Sequence, residues 1–373
     1  MSPTDVAETT APILHLRGPI LLGAEEEQGG AWVVGGRIHH EKPELPAGAE
    51  VREIDGFVLP GLADLHCHLG IADGGGGTTL TEAREQALVD RDSGVLLIRD
   101  AGSIIDNSPL QQQDDLPRLI RCGRHLARTR RYLIGYADEL EPQDLPAAVT
   151  REAGRADGWV KLVGDWIDRE VGDLTPCWPV DVLTEAIAAA HEEGARVTAH
   201  CFGEQSLHDF AAAGTDCIEH ATGLDDESIA AFARQGITVV PTLVNIETFP
   251  AIAEPAREKF PDYHRHMLDL HRRRLQTVAS AHEAGIPVMV GTDAGGSIAH
   301  GLAAQEMHLL TQAGMTHTQA LSAGTWAARR WLGRPAIAEG EDADLVVLSA
   351  DPREDVRACA TPRHVVLRGA TVA

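Results

Sequence analysis

The order of hydrophobic and polar residues repeats through the middle of the chain. In each copy a helical segment ends at a glycine, a short aliphatic and β-branched run follows, and a polar residue closes the run. Glycine after the last helical residue supplies a left-handed C-cap, so each copy predicts a helix, a turn and a strand. The copies DSGVLLIRD, HEEGARVTAH, AAAGTDCIEH and HEAGIPVMVGTD close at Asp100, His200, His220 and Asp293.

This repeat predicts an α/β fold built on a (β/α)8 TIM barrel. The strand runs are apolar throughout, as in parallel strands that are buried on both faces. Such units over about 250 residues are typical of this barrel. Outside them, PILHLRGPILL, AWVVGGRI, VREIDGFVL, DADLVVLS and RHVVLRGATVA predict five short strands without helices. We therefore predict a barrel at residues 60–333, inserted into a small β-sandwich made from residues 1–59 and 334–373.

Composition and charge limit the kinds of molecule that the protein is expected to bind. A formal charge of -24 argues against nucleic acid and anionic membranes, because both select basic surfaces. The first residues lack the basic and apolar regions of a signal peptide, and no apolar run reaches the roughly 18 residues of a membrane-spanning helix. The six cysteines lack the spacing of a disulfide framework or a zinc knuckle. We expect a soluble cytoplasmic protein with reduced thiols and a small-molecule substrate, and a homo-oligomer is left open.

A histidine pair is the first sign of metal chemistry. GLADLHCHLG places His66 and His68 two positions apart on a strand, so both side chains point to the same side. The pair alone is a weak signal in a chain of 18 histidines. Three further residues that close strands are His200, His220 and Asp293. Barrel active sites lie at that end of the strands, and imidazoles with a carboxylate suit zinc or a similar divalent ion.

A lysine interrupts another strand. WVKLVGDW places Lys161 within an apolar run, in a chain whose other lysines are Lys42 and Lys259. One interpretation is a side chain whose stem lies on apolar surface while its amine reaches water. The other is a lysine carboxylated by carbon dioxide, whose two oxygens could bridge two metal ions. The strand pattern leaves both interpretations open.

Together these segments resemble the amidohydrolase superfamily, in particular its binuclear members with a carboxylated lysine on the fourth barrel strand. The similarity runs through PGLADLHCHLG, WVKLVGDW, VTAHCF, CIEHA, GTDAG and the closing GEDADLVVL. The segment ending in IEH and the HG tract at residues 300–301 resemble the prolidase-like and imidazolonepropionase-like branch. Such relatives often carry a GGH turn after the third strand, where this chain reads CGRHLARTRRYL. A dipeptidase specificity is therefore not carried over.

The resemblance implies a binuclear metal-dependent amidohydrolase with two divalent ions, Zn2+ being the expected metal. A metal-bridging hydroxide would cleave the amide C–N bond of a dipeptide, an N-acyl amino acid or a cyclic amide. The implied ligands are His66 and His68 on one ion, His200 and His220 on the other, Lys161 as a bridging N6-carboxylysine, and Asp293. Asp293 would also shuttle the proton, Asp64 would orient the histidine pair, and His300 is a candidate for substrate contact.

Other functions remain as alternatives. A mononuclear deaminase of a heterocycle typically has a glutamate three residues after the fifth-strand histidine, whereas Glu204 follows His200 by four. A lactone or ester hydrolase could use the same site. A non-catalytic homologue would be expected to have a broken ligand set, and this set is intact.

The remaining basic residues are interpreted more simply. Arg128, Arg130 and Arg131 could hold a substrate carboxylate or form a solvated basic surface. Cys67 and Cys201 are expected to pack beside the ligands. The histidines expected to serve in packing are His125, His191, His208, His282, His308 and His317.

Overall fold

A computed structural model of the chain describes residues 12–46 and 48–373. The strands are β1 Ile13–Leu21, β2 Glu27–Val34, β3 Arg37–His39, β4 Val51–Asp55, β5 Phe57–Pro60, β6 Leu62–Cys67, β7 Val95–Asp100, β8 Arg118–Arg121, β9 His125–Arg128, β10 Ala137–Leu140, β11 Trp159–Val163, β12 Asp165–Asp168, β13 Asp173–Pro176, β14 Arg196–Cys201, β15 Cys217–His220, β16 Thr238–Val240, β17 Leu345–Leu348, β18 His364–Leu367 and β19 Ala370–Thr371. The fold is mixed α/β.

Along the described chain, the first five helices lie between central strands and the last six lie between β16 and β17. They are α1 Leu80–Asp92, α2 Leu145–Ala153, α3 Val180–Glu192, α4 Glu204–Ala213, α5 Asp226–Gln235, α6 Leu243–Ile246, α7 Phe249–Ala253, α8 Pro261–Glu283, α9 Ala303–Gln312, α10 His317–Ala323 and α11 Trp326–Trp331. Short 3-10 helices lie at Ser108–Gln112, Pro142–Asp144, Glu254–Ala256 and Val356–Ala360. Among the described helices, none combines the length and apolar character that crossing a membrane would require.

One sheet joins the first five strands to the last three. Its order is β19-β18-β17-β5-β1-β2-β3, with β4 paired to β1. The five strands expected in these regions are eight in the structure, because three of the runs break at glycines. Gly56 and Gly369 have φ of +149° and +83°, values that a strand does not continue through. Gly35 and Gly36 form the third break, a turn between β2 and β3.

The central strands pair in parallel. One sheet has the order β6-β7-β8 and the other the order β10-β9-β11-β14-β15-β16. Every residue of β6, β7 and β11 is buried, which agrees with their apolar sequences. Residues 288–294 contact both sheets, since Met289 N donates to Val239 O and Leu65 N donates to Val290 O, each at 2.9 Å. The carboxyl ends of these strands therefore face one common region.

Helix ends direct the chain into the strands that carry the site. Helix α5 begins at a capping box, in which Asp225 accepts from Ser228 N and Ser228 bonds back to Asp225 N. Left-handed glycines end α4 and α5, Gly214 with φ of +83° and Gly236 with φ of +72°. Each glycine turns the chain directly towards the following strand, as the repeat predicts.

Candidate metal centre

The strand ends bring His66, His68 and Asp293 together. Asp293 Oδ1 lies 3.0 Å from His66 Nε2 and 3.0 Å from His68 Nε2. The two Nε2 atoms are 3.1 Å apart. The three residues are buried or nearly so, and their ligand atoms all lie within 4.8 Å of one another. Together, these three residues could hold a metal ion.

His200 and His220 lie next to this group. Their ring centroids are 4.7 Å apart, and the His220 ring is 5.0 Å from that of His66. Thr242 Oγ1 lies 2.7 Å from His220 Nδ1, which leaves Nε2 free to bind an ion. His220 and Asp293 have positive φ, at 66° and 62°. Such strained backbone at non-glycine residues clusters at functional sites.

Lys161 is buried, and its side chain is 1% exposed. This contradicts the interpretation in which the amine reaches water. Its Nζ instead contacts Glu219 Oε2 in the interior. Glu219 also accepts from Thr198 Oγ1 at 2.8 Å and from Arg99 Nη2 at 3.4 Å. The sequence analysis missed Glu219, although a carboxylate in the otherwise apolar run before His220 was a usable signal.

The electrostatic environment favours neutral imidazoles at His66, His200 and His220 beside a carboxylate anion at Asp293. Burial lowers the pKa of His66, lowers that of His200 further, and lowers that of His220 to about 3. Burial would raise the pKa of Asp293, but the charge of His66 and the bonds from His66 and His68 hold it well below its ordinary value. Burial also opposes protonation of His68, yet its bond to Asp293 raises the pKa of this imidazole. Neutral imidazole and carboxylate are the forms that bind a divalent metal.

An unpartnered atom tests whether these residues fit a metal. His200 Nε2 is buried and has no hydrogen-bond partner among the described residues. An unsatisfied buried polar atom costs about 1–3 kcal/mol, which an ion at the site would offset. The nitrogen and oxygen donors are those that zinc and related ions take. The residues therefore fit a divalent metal.

Neighbouring polar groups hold the ligands in place. Asp64 Oδ1 accepts from His66 N and Thr292 N, both at 3.1 Å, and Asp64 Oδ2 accepts from Thr292 Oγ1 at 2.6 Å. These bonds hold the histidine strand against the segment that carries Asp293. On the far side, Asn245 Nδ2 donates to Asp293 Oδ2 at 2.7 Å. Such contacts fix the orientation of metal ligands.

A cavity of about 150 Å3 opens beside the ligands. Its lining includes His68, His200, Asn245 and Asp293, together with several aromatic side chains. Larger hollows elsewhere on the described surface contain none of the six predicted ligands. The small cavity is therefore the place where a substrate would meet the centre.

His125, expected to serve in packing, lines this cavity. It is fully buried, and both of its ring nitrogens lack a partner among the described residues. Its ring stacks on His68 with centroids 5.1 Å apart. No spacing in the sequence distinguishes it from the other histidines expected to serve in packing. Two of those, His191 on α3 and His208 on α4, pair with Asp216 and Asp225 outside the cavity.

His300 lies behind the histidine strand. Its Nδ1 is 2.9 Å from Asp90 Oδ2 and 3.7 Å from Cys67 Sγ. It is absent from the cavity lining. Its contact with a substrate stays a prediction, and the bond to Asp90 explains how the loop after Asp293 is held.

The arginine cluster and Glu204 also lie outside the cavity lining. Arg131 donates to Asp168 Oδ2 at 3.1 Å and to Thr175 O at 2.7 Å, so its guanidinium is used within the fold. Arg128 Nη1 donates to Cys177 O at 3.5 Å. Glu204 Oε2 lies 3.0 Å from His266 Nε2.

Comparison with known proteins adds three findings. Residues 172–372 match the model of the Amidohydrolase family. An uncharacterized protein of Mycobacterium tuberculosis is 51% identical over 360 residues, covering 96% of this chain and 95% of the relative. Ochratoxinase of Aspergillus niger is 28% identical over 191 residues, 48% of this chain and 39% of that protein.

A solved structure shares the fold. The putative prolidase of Bifidobacterium longum superimposes with a TM-score of 0.80 and 24% identity, over 97% of this chain and 95% of that one. At this identity the likeness concerns the fold alone.

Proposed function

The chain belongs to the amidohydrolase family, and on that premise we propose that it is a binuclear metal-dependent hydrolase of an amide C–N bond. The observation that carries the proposal is the convergence of His66, His68 and Asp293 at one end of the parallel strands, with His200 and His220 beside them. When bound, two divalent ions, Zn2+ being suited to these donors, supply an activated water at neutral pH and polarise the substrate carbonyl.

We take the parallel strands as one (β/α)8 barrel at residues 60–333, with residues 1–59 and 334–373 forming a separate small domain. The bonds from residues 288–294 to both parallel sheets support closure of the barrel. The pairing of β5 with β17 supports assignment of both ends of the chain to one unit.

Each ligand has a proposed role. His66 and His68 would hold one ion, His200 and His220 would hold the other, and Lys161, carboxylated on its amine, would supply an anionic ligand to both. Lys161 contacts Glu219 as an ammonium, and carboxylation would replace that positive charge with a negative one. Glu219 would keep its bonds from Thr198 and Arg99, and the positive charge of the two ions would balance the added negative charge beside it.

Asp293 is the proposed proton carrier. Its pKa lies well below the ordinary value for the reasons given above, so it is ionised and able to accept a proton from the attacking water. Asn245 holds Oδ2, which leaves Oδ1 towards His66 and His68. The same carboxylate then returns the proton to the leaving nitrogen.

The position of Glu204 favours this reaction over deamination. A deaminase needs a carboxyl group within hydrogen-bond reach of the heterocycle. Glu204 contacts His266 and Arg273 and does not line the cavity. Asp293 is the carboxylate that the cavity does contain.

Metal content tests the proposal. Protein grown in metal-replete medium with bicarbonate should contain about two divalent ions per chain by elemental analysis. The Lys161→Ala variant should lose most of one or both ions, whereas Lys259→Ala should match the wild type. Labelled bicarbonate should add a carbamate carbon signal to the wild-type NMR spectrum and none to that of Lys161→Ala. About one ion in all three proteins, without the carbamate signal, would overturn the binuclear proposal.

A further inference from the structure

Aromatic side chains are concentrated around the cavity. The chain has only 3 tyrosines, 6 tryptophans and 6 phenylalanines. All three tyrosines, Tyr132, Tyr136 and Tyr263, line the cavity together with Trp166 and Phe202. The rings of Tyr132 and Trp166 meet edge to face with centroids 4.9 Å apart. A chain that uses so few aromatic residues and gathers them here has a wall suited to a flat apolar group.

The size of the cavity sets the size of that group. Its volume is about 150 Å3. An engineered apolar cavity of about 150 Å3 in another protein binds benzene. Leu133 and Ile252 line the cavity although they are 43% and 45% exposed, which gives it an apolar mouth. A single six-membered ring therefore matches the space beside Asp293.

The charged side chains of the lining are not of the kind that usually binds a carboxylate. Among the described residues, the lining contains neither lysine nor arginine, and its one charged side chain besides histidine is Asp293. Protein sites that bind carboxylates commonly present arginine or lysine to them. Arg128 and Arg131, two arginines close to Tyr132 in the sequence, are bonded to other parts of the fold.

The lining offers neutral polar groups instead. The three tyrosines of the lining carry hydroxyl groups, each of which can donate or accept a hydrogen bond. Both ring nitrogens of His125 are buried without a partner. These groups can bond an uncharged polar substituent without an ionic partner.

We propose that the substrate is an uncharged amide that carries a single aromatic ring, and that a free carboxylate near the scissile bond is disfavoured. This inference rests on the proposed function and names the substrate class of the same site. In the reaction, the oxygen of water bonds to the acyl carbon and the C–N bond breaks. One proton of water passes to the leaving nitrogen, so the products are a carboxylic acid and an amine.

Three amides of similar length test the inference. They are N-benzoylglycinamide, N-benzoylglycine, which adds a carboxylate, and N-acetylglycinamide, which lacks the ring. The first should be hydrolysed with kcat/KM at least about tenfold above either of the others, the discrimination that a fitted apolar pocket provides. Equal or faster hydrolysis of N-benzoylglycine would overturn the charge preference. Equal hydrolysis of N-acetylglycinamide would overturn the requirement for a ring.

A binding measurement does not depend on hydrolysis, so it tests this inference separately from the proposed function. By titration calorimetry, benzamide should bind the purified protein at least about tenfold more tightly than benzoate or acetamide. Tighter binding of benzoate would overturn the inference even if amides are hydrolysed. Benzamide binding as expected, with hydrolysis of none of the three amides, would leave the cavity preference standing and count against the proposed reaction.

Two variants sharpen the test. Trp166→Ala should weaken benzamide binding about tenfold, because it removes one wall of the ring site. Ile252→Lys places a cation at the mouth and should shift the kcat/KM ratio towards N-benzoylglycine by about tenfold. Trp32→Ala is the matched control, since Trp32 stacks on His15 in the terminal sheet and should alter neither value. An unchanged ratio in Ile252→Lys would contradict the charge argument.

Discussion

Lys161 Nζ contacts Glu219 Oε2 across an intervening strand, and the two side chains are 1% and 0% exposed. Lys161 lies on β11 and Glu219 on β15, with β14 between them. Thr198 of β14 is paired in register with Lys161 and also donates to Glu219. The bonds of Glu219 to Lys161 and Thr198 therefore link three parallel strands beside the proposed metal-binding histidines.

This buried pair should contribute strongly to stability. In metal-free protein, Glu219→Ala leaves the Lys161 ammonium buried without its partner and should lower the free energy of unfolding by about 3–5 kcal/mol. Urea unfolding would measure the loss. The double variant Lys161→Met with Glu219→Leu should recover part of it, since apolar side chains often replace a buried pair at little cost, while Arg99 still lacks its carboxylate partner. A control, Glu53→Ala, removes an exposed partner of Arg17 and should have little effect.

His266 should make stability depend on pH. Its bonds to Glu204 and Asp173 raise its pKa to about 9 despite partial burial. Since the folded value lies above the unfolded value of about 6.5, the stabilisation is complete below pH 6.5 and is lost as pH rises through 9. His266→Gln should therefore cost about 1–2 kcal/mol at pH 6, after allowance for solvent screening, and almost nothing at pH 10. A difference in urea midpoint that stays constant with pH would contradict this assignment.

Asn245 should influence the rate more than substrate binding. Its amide holds Asp293 Oδ2 at 2.7 Å, so Asn245→Ala frees the proposed proton carrier to rotate. Loss of such a supporting contact typically costs about 10–100-fold in activity or metal affinity. Steady-state kinetics at saturating metal should show this loss in kcat with little change in KM. Gln276→Ala, on an exposed part of α8, is the control, and an unchanged kcat in Asn245→Ala would contradict the role.

Gly291 should tolerate no side chain. A Cβ at this position would lie 2.8 Å from His66 N and would overlap Val240. Gly291→Ala should therefore displace the histidine strand, lower the free energy of unfolding by about 1–3 kcal/mol and reduce the bound metal per chain. Gly29→Ala is the control, because a Cβ there meets nothing within 4 Å. Metal content and stability equal to wild type in Gly291→Ala would show that the packing at this point can relax.

The candidate ligands could be located from the sequence because each of them is indicated by a pattern of neighbouring residues. Alternation along a strand predicts that His66 and His68 share a side, and the structure places their Nε2 atoms 3.1 Å apart. Strand-end positions likewise bring Asp293, His200 and His220 into the same region.

Contacts between residues on different strands were harder to predict from the sequence. The partner of Lys161 lies two strands away, where no spacing along the chain can identify it. His125 lines the cavity from the start of β9 and contacts the ring of His68, a residue far away in sequence, whereas His300 lies against Asp90. The terminal strands were counted as five because positive φ at glycines such as Gly56 is not visible in a hydrophobic pattern.

The terminal sheet also has a consequence for folding during synthesis. In β5, Val58 pairs with Ile20 on one side and with Val347 on the other. Val347 leaves the ribosome only after all the parallel strands have been synthesised. Until then, this edge of β5 stays unpaired. Pairings so distant in sequence form slowly, and open strand edges invite association between chains. Nascent chains of this protein should therefore be most prone to aggregate just before β17 is synthesised.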